Sequence, residues 1–269
     1  MKVKTGYIVW LVAAWLITGC YSKKKEEAGI FHYNEFNGIA SLDPAFAKSQ
    51  SVMWGVHQLY NTLVEMDDSL HLIPSLAKSW EISTDRTLFT FHLRTDVYFH
   101  DDPVFPGSKG RLLKAADVVY SFSRLIDPKT ASPGAWIFNG KVDSLQPFMA
   151  LNDSTFQLKL IRPYHPILGI ISMQYCSIVP KEAVEKYGTD FRRHPVGTGP
   201  FRFIAWEEGQ ALVLKKHSRY FERDSAGHSL PYLAGIHVSF YDSKATEFLL
   251  FRQQQLEFIN DIEASFKDE

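Results

Sequence analysis

The chain has 269 residues, of which 45% are apolar, 22% charged and 14% aromatic. That mixture supports one large or two ordinary globular units and excludes a disordered, collagenous or polytopic membrane chain. Lys plus Arg number 29 against 30 Asp plus Glu, so there is no global basic field to hold nucleic acid. The two cysteines, Cys20 and Cys176, exclude a disulfide scaffold and a four-cysteine zinc site.

Lys2 and Lys4 precede an uncharged stretch over 6–17. It is too short to span a bilayer, which takes ~20 apolar residues, and it suits the apolar region of a secretory leader. Ile17-Thr18-Gly19-Cys20 then resembles the bacterial lipobox. That resemblance implies cleavage before Cys20, a lipid on its sulfur and anchoring to a membrane. The polar stretch 22–29 reads as a solvated tether.

Residues 30–34 predict a first strand, running toward the turn signal Ser41-Leu42-Asp43-Pro44. Apolar residues at 52, 53, 56, 59, 60 and 63 predict a helix over 51–63. Strict alternation predicts strands over 88–93 and 155–160. Helical spacing of Ala115, Val118, Val119, Phe122 and Leu125 predicts a helix over 115–125, stopped by Asp127-Pro128. A short helix over 180–187 starts on a proline and ends at Gly188. Residues 201–206 and 211–215 predict a hairpin, 236–240 a further strand, and 243–252 a helix capped by Ser243. Helices and strands mix without regular βαβ spacing, so the class is α/β in the mixed, α+β sense.

The sequence carries no nucleophile elbow, zinc-protease pair or phosphate-cradling loop. His100-Asp101-Asp102 offers metal-ligand chemistry, but three neighbours in a loop need distant partners to converge on one ion. The reading is a structural loop, with no metal and no cofactor. Cys176 lies in an apolar run and reads as core filler. Pro195-Val196-Gly197-Thr198-Gly199-Pro200-Phe201 is either a tight structural turn or a rigid corner beside a ligand. Trp136 and Phe138, in the Pro/Gly-containing stretch 130–140, either form a satellite core or face a ligand.

Several further segments fall in a recognisable order: Leu72-Ile73-Pro74-Ser75-Leu76-Ala77-Lys78-Ser79-Trp80-Glu81, Phe89-Thr90-Phe91-His92-Leu93-Arg94, Val97-Tyr98-Phe99-His100-Asp101 and Ala115-Ala116-Asp117-Val118-Val119-Tyr120-Ser121-Phe122. Ile178-Val179-Pro180-Lys181, the Pro195–Phe201 corner and Tyr232-Leu233-Ala234-Gly235-Ile236 follow. Together with Ser41-Leu42-Asp43-Pro44 these resemble the bacterial extracellular solute-binding proteins of the peptide/nickel class, the oligopeptide- and dipeptide-binding lipoproteins of ABC transporters. Two departures stand out. Asp102 replaces the family's glycine after the His-Asp pair, and Gln254 and Glu257 replace a Gly and an Asp near the end.

The resemblance implies the first lobe of a two-lobe periplasmic-binding-protein-like fold with an inserted α+β domain. It divides the chain into a leader at 1–19, a tether at 20–29, a discontinuous lobe at 30–50 and 191–269, and an insert at 51–190. The chain is about half the usual family length, and the second lobe is expected to be absent. Function is implied as capture of peptides on the outer side of the cytoplasmic membrane and delivery to the permease subunits of an ABC importer. The chain would be a monomer and not an enzyme. A receptor for nickel chelates or another small solute, and a lipid-anchored hydrolase, are the competing readings. Family ligands pair their backbone with exposed strand segments, which places ligand contacts at Asn37, Gly38, Ile39 and Ala40 and, from the insert, at Trp136 and Phe138. Trp80 is expected to be a buried structural indole.

Overall fold

The computed structural model describes residues 29–266. The leader, the lipidation residue Cys20 and all of the tether except Gly29 lie outside the described residues. A mixed four-stranded sheet has the order β1-β10-β9-β8. It is formed by β1 (Ile30–Asn34), β8 (Phe201–Glu207), β9 (Ala211–Lys216) and β10 (Gly235–Ser239). β1 runs parallel to β10, with His32 opposite His237, while β9 pairs antiparallel with both β8 and β10. Strands 205 residues apart in sequence therefore sit side by side (Asn34 opposite Ser239). A parallel pair requires such a crossover, because no tight hairpin can join it.

A second four-stranded sheet, wholly antiparallel, has the order β4-β5-β7-β6. Its strands are β4 (Ala77–Ile82), β5 (Leu88–Leu93), β6 (Phe148–Asn152) and β7 (Thr155–Lys159). β2 (Val64–Met66) and β3 (Leu72–Pro74) form a separate two-stranded ribbon. On β5 the buried residues are Phe89, Phe91 and Leu93, and on β7 Phe156 and Leu158. One face of this sheet is thus apolar, as period-two alternation dictates. Helix α2 (Ala115–Ile126) covers it, burying Val118, Phe122 and Leu125. Phe122 is the hub of an aromatic cluster, with ring centroids 5.0 Å from Phe138 and 5.5 Å from both Phe148 and Phe156.

The other helices are α1 (Gln50–Leu59), α3 (Ile167–Ile171), α4 (Lys181–Tyr187) and α5 (Lys244–Arg252). The Ser243 hydroxyl accepts from the Thr246 N–H at 3.2 Å, capping α5. Helix α1 stops at Leu59, short of the expected 63. Tyr60 is extended, and the Leu59 carbonyl accepts from the Gly199 N–H at 2.9 Å. A Cβ on Gly197 would lie 2.0 Å from the Leu59 oxygen, and one on Gly199 2.4 Å from the Leu59 carbonyl carbon. The glycines of the Pro195–Phe201 corner therefore let two backbones touch. His100 reinforces the corner. Its Nε2–H donates to the Gly199 carbonyl at 3.0 Å and its Nδ1 accepts from the Gly197 N–H at 3.4 Å.

Trp80 is half-buried against the core rather than fully enclosed. It lies on β4, whose outer residues Lys78, Ser79, Glu81 and Ile82 face solvent. Cys176 is fully buried, and burial pushes its thiol pKa well up, which suits packing and not nucleophilic attack. The His100-Asp101-Asp102 side chains diverge. Asp101 meets Lys109 and Arg219, while Asp102 accepts from the Tyr187 hydroxyl at 2.9 Å.

Candidate functional site

The site grows from the end of β1. The Asn34 side chain is buried and clamps residue 241, with Oδ1 accepting from the Tyr241 N–H at 2.7 Å and Nδ2 donating to its carbonyl at 3.0 Å. The chain then turns. The Gly38 N–H donates to the Glu35 carbonyl at 3.0 Å, and the Asn37 N–H to Glu35 Oε1 at 3.2 Å. Gly38 sits at φ 65°, where a side chain is strained even though a Cβ would meet nothing within 4 Å. Burial lifts the Glu35 carboxyl above the ordinary carboxylate range, against the Asn37 N–H, with the Glu247 charge adding to the lift.

Beyond the turn the chain is pinned by alternate residues. Ile39 is buried beside Gly55 of α1, and Leu42 is wholly enclosed. Ala40, between them, is exposed. Its carbonyl accepts from Arg192 Nη1 at 3.4 Å, and the Leu42 N–H donates to the Arg192 carbonyl at 2.9 Å. Among the described residues the main-chain N–H groups of Ile39 and Ala40 donate to no acceptor. An unspent donor on exposed chain, as at Ala40, is what an added strand requires, and the Ile39 donor precedes it on a residue that is itself largely buried.

Ala40 and Ser41 open onto a cleft of about 650 Å³. Its walls come from four places: the segment through Asp43 and Lys48, the start of α1 at Ser49 and Val52, the end of α2 with Lys129 and Thr130, and the stretch from Val184 of α4 to Arg192. The cleft's floor is tied down by an ion pair. Arg124 Nη1 donates to Asp43 Oδ1 at 2.7 Å, and Nη2 to Oδ2. Burial alone would lower the Arg124 pKa, but the hydrogen bonds and charge of Asp43 raise it. Asp43 Oδ1 also accepts from the Ala45 N–H at 3.0 Å, and the Ser41 hydroxyl accepts from the Asp43 N–H at 3.0 Å.

The structure brings Asn37, Gly38, Ile39 and Ala40 together as one turn and arm, but with unequal parts. The Asn37 and Gly38 donors are spent on Glu35, and the Ile39 side chain is in the core. Trp136 is exposed, with Lys141 Nζ 5.6 Å from its ring, and it does not line the cleft; Thr130 of the same loop does. Phe138 cannot meet a ligand. It is fully buried, 4.9 Å from Phe148 and 5.0 Å from Phe122, and an aromatic ring beside a vacant core position fills it rather than facing water. Sequence reasoning missed Lys48, Arg124, Lys129 and Arg192. Arg124 and its partner Asp43 lie 81 residues apart, and nothing local marks either lysine as facing a cleft.

A family model described as bacterial extracellular solute-binding proteins, family 5 Middle, matches residues 71–269. The chain is 34% identical over 176 residues to the dipeptide-binding protein of Escherichia coli (strain K12), covering 61% of this chain and 32% of that protein. It is 33% identical over 178 residues to heme-binding protein A of Haemophilus influenzae, again covering 61% and 32%. Among solved structures, the periplasmic binding protein DppA from Helicobacter pylori in complex with peptide STSA superposes with a TM-score of 0.75 at 27% identity. That superposition covers 88% of this chain and 47% of that one. The chain thus matches between about a third and a half of the length of these proteins. Its mixed α/β architecture is that of part of a periplasmic-binding-protein fold, and the chain belongs to the bacterial extracellular solute-binding proteins, family 5.

Proposed function

We propose that this chain is the peptide-receiving part of a lipid-anchored solute receptor, which captures peptides outside the cytoplasmic membrane and hands them to the permease subunits of an ABC importer. The observation that carries the proposal is the arm at Ile39 and Ala40, where main-chain donors without a partner among the described residues lie beside the cleft. A peptide backbone paired there is held without reference to its side chains. Two relatives with peptides in their names or titles are in keeping with this reading. A receptor rather than a hydrolase is favoured by the chemistry present: the described cysteine is a buried, unreactive thiol. The division into a discontinuous lobe (30–50 and 191–269) and an insert (51–190) belongs to the same proposal. The pairing of β1 with β10, and not with β5, supports it.

The anchor is proposed at Cys20, with Cys20→Ser expected to accumulate as an unlipidated precursor. Processing of that variant, with wild-type partition into detergent, would remove the anchor from the account. Peptide capture is tested by calorimetric titration of the 269-residue chain with mixed tri- and tetrapeptides. The arm offers a handful of hydrogen bonds, worth ~0.5–1.5 kcal/mol each against water. They must offset an association cost of ~4–15 kcal/mol, so the expected Kd is about millimolar. Peptides recovered intact and bound in that range agree with the proposal. Low-micromolar binding would contradict a site whose hydrogen bonds come from the arm alone, and cleavage of the peptides would replace the receptor by an enzyme. Heme as competitor separates the peptide reading from the small-solute one suggested by the name of a relative.

A further inference from the structure

The cleft beside the arm carries a charge that its own residues do not balance. Asp43 is the one carboxylate among its lining residues, and Arg124 already neutralises it through two hydrogen bonds. Arg192 shares its guanidinium with Glu208 at 2.8 Å. Lys48 and Lys129 are left; both line the cleft, their main-chain N–H groups donate to the Phe46 carbonyl and to Asp127 Oδ1, and their ammonium groups make no hydrogen bond or ion pair among the described residues. Phe46, Val52 and Val184 supply apolar wall in the same cleft, and a low-dielectric wall strengthens the field of charges beside it.

The geometry points to a carboxylate-binding function for this cleft: Lys48 and Lys129 receive a carboxylate of a peptide whose backbone lies on the Ile39–Ala40 arm, so the chain favours peptides that present a side-chain or terminal carboxylate there. The inference rests on the peptide reading above. Ala40 and Ser41 belong to both features, as arm and as cleft wall. A peptide pairing with the arm therefore has its next side chain, or its C-terminus, over the cleft. A carboxylate there meets the ammonium groups of two exposed lysines, and no existing ion pair has to break. Lysine is a point charge with rotatable donors and imposes no bidentate geometry, so it accepts either a side-chain or a terminal carboxylate.

The test uses amide-resolved NMR titrations of the full chain with three peptides: Ala-Ala-Glu-Ala amide, Ala-Ala-Gln-Ala amide and Ala-Ala-Gln-Ala acid. The first carries a side-chain carboxylate, the third a terminal one, and the second neither. At low salt at least one acidic peptide should bind about fivefold more tightly than the neutral one, as expected for partly screened pairs; which one identifies the source. The ratio should fall toward one in Lys48→Gln/Lys129→Gln, and toward or below one in Lys129→Glu, with melting temperatures confirming that both variants fold. An acidic preference that survives both substitutions, or no preference in the wild type, overturns the inference. If the neutral peptide moves the Ile39 and Ala40 amides while no preference exists, this inference fails and the peptide reading stands. If no peptide moves them, both fail.

Discussion

Removing the charge of Asp43 should destabilise the fold and loosen the arm. In the native chain the two side chains of the Asp43–Arg124 pair are 5% and 12% exposed. Asp43→Asn keeps an oxygen for the Ala45 N–H but leaves the Arg124 cation desolvated, with half its acceptors gone. Breaking a buried pair from one side costs about 3–5 kcal/mol. The slightly exposed edge of Arg124 gives it some access to water, which argues for the lower end, about 3 kcal/mol. Arg124→Met strands the carboxylate in turn and should cost a similar amount. The double variant removes both charges, so the two losses should not add, and the coupling energy should be about 2–3 kcal/mol. Urea unfolding of the four proteins at neutral pH, with unchanged m-values, measures all of this. Single variants each below about 1 kcal/mol, combining additively, would refute the claim that this pair holds the segment 39–43 in place.

Phe138→Ala should cost about 3–5 kcal/mol in the same assay, and Trp136→Ala under about 1 kcal/mol; equal costs would contradict the placing of one ring in the core and the other in solvent. Gly199→Ala forces a Cβ into the Leu59 backbone and should cost about 2–3 kcal/mol, whereas Gly38→Ala meets no atom and should cost only the strain of its positive φ, about 1–2 kcal/mol. The reverse order of costs would dispose of the close backbone approach. Burial, with the nearby His217 charge, holds the His100 pKa at about 3 against its ordinary 6.5. Below pH 6.5 the unfolded chain gains a proton that the folded chain refuses until about pH 3. Stability present above pH 6.5 should therefore drain away as the pH falls through that window, by about 3 kcal/mol at pH 4. His100→Gln should be less stable at pH 7 but show a shallower loss; identical slopes would show that His100 does not carry the effect.

What the sequence made legible follows the physics of period and punctuation. The strand at Ile30–Asn34 and the helix at Ala115–Ile126 could be read from residues close together in the chain. So could the hairpin of β8 and β9, where Gly209 sits at positive φ in the turn. Helix α1 was over-extended because Tyr60 and Leu63 continue its apolar pattern, while the cause of its end, the glycines at 197 and 199, lies far along the chain. β4 has one fully buried residue, Ala77, and so offered little alternation to read. The candidate site was legible as a segment, from the resemblance that implies contacts at Asn37 to Ala40 just before the Ser41–Pro44 turn signal, but not as a cleft. Lys48, Lys129 and Arg192 come from three distant stretches, and their convergence is a property of the tertiary packing alone. Phe138 was open to misreading because its loop is rich in turn formers, while its burial depends on Phe122 and Phe148.

The unspent main-chain donors at Ile39 and Ala40 are proposed to receive a peptide backbone. Two-dimensional amide spectra of the isotopically labelled chain, recorded while a neutral tetrapeptide is added to millimolar concentration, test that pairing most directly. The largest shifts should fall on the Ile39 and Ala40 amides, with smaller ones at Thr130 in the cleft wall and at Arg192, which touches the arm, and none at the Asn37 and Gly38 amides beyond a general rim effect, since these already donate to Glu35. Saturable shifts confined to another surface, such as the pocket lined by Asn61, Tyr220 and Glu222, with Ile39 and Ala40 unmoved, would contradict it.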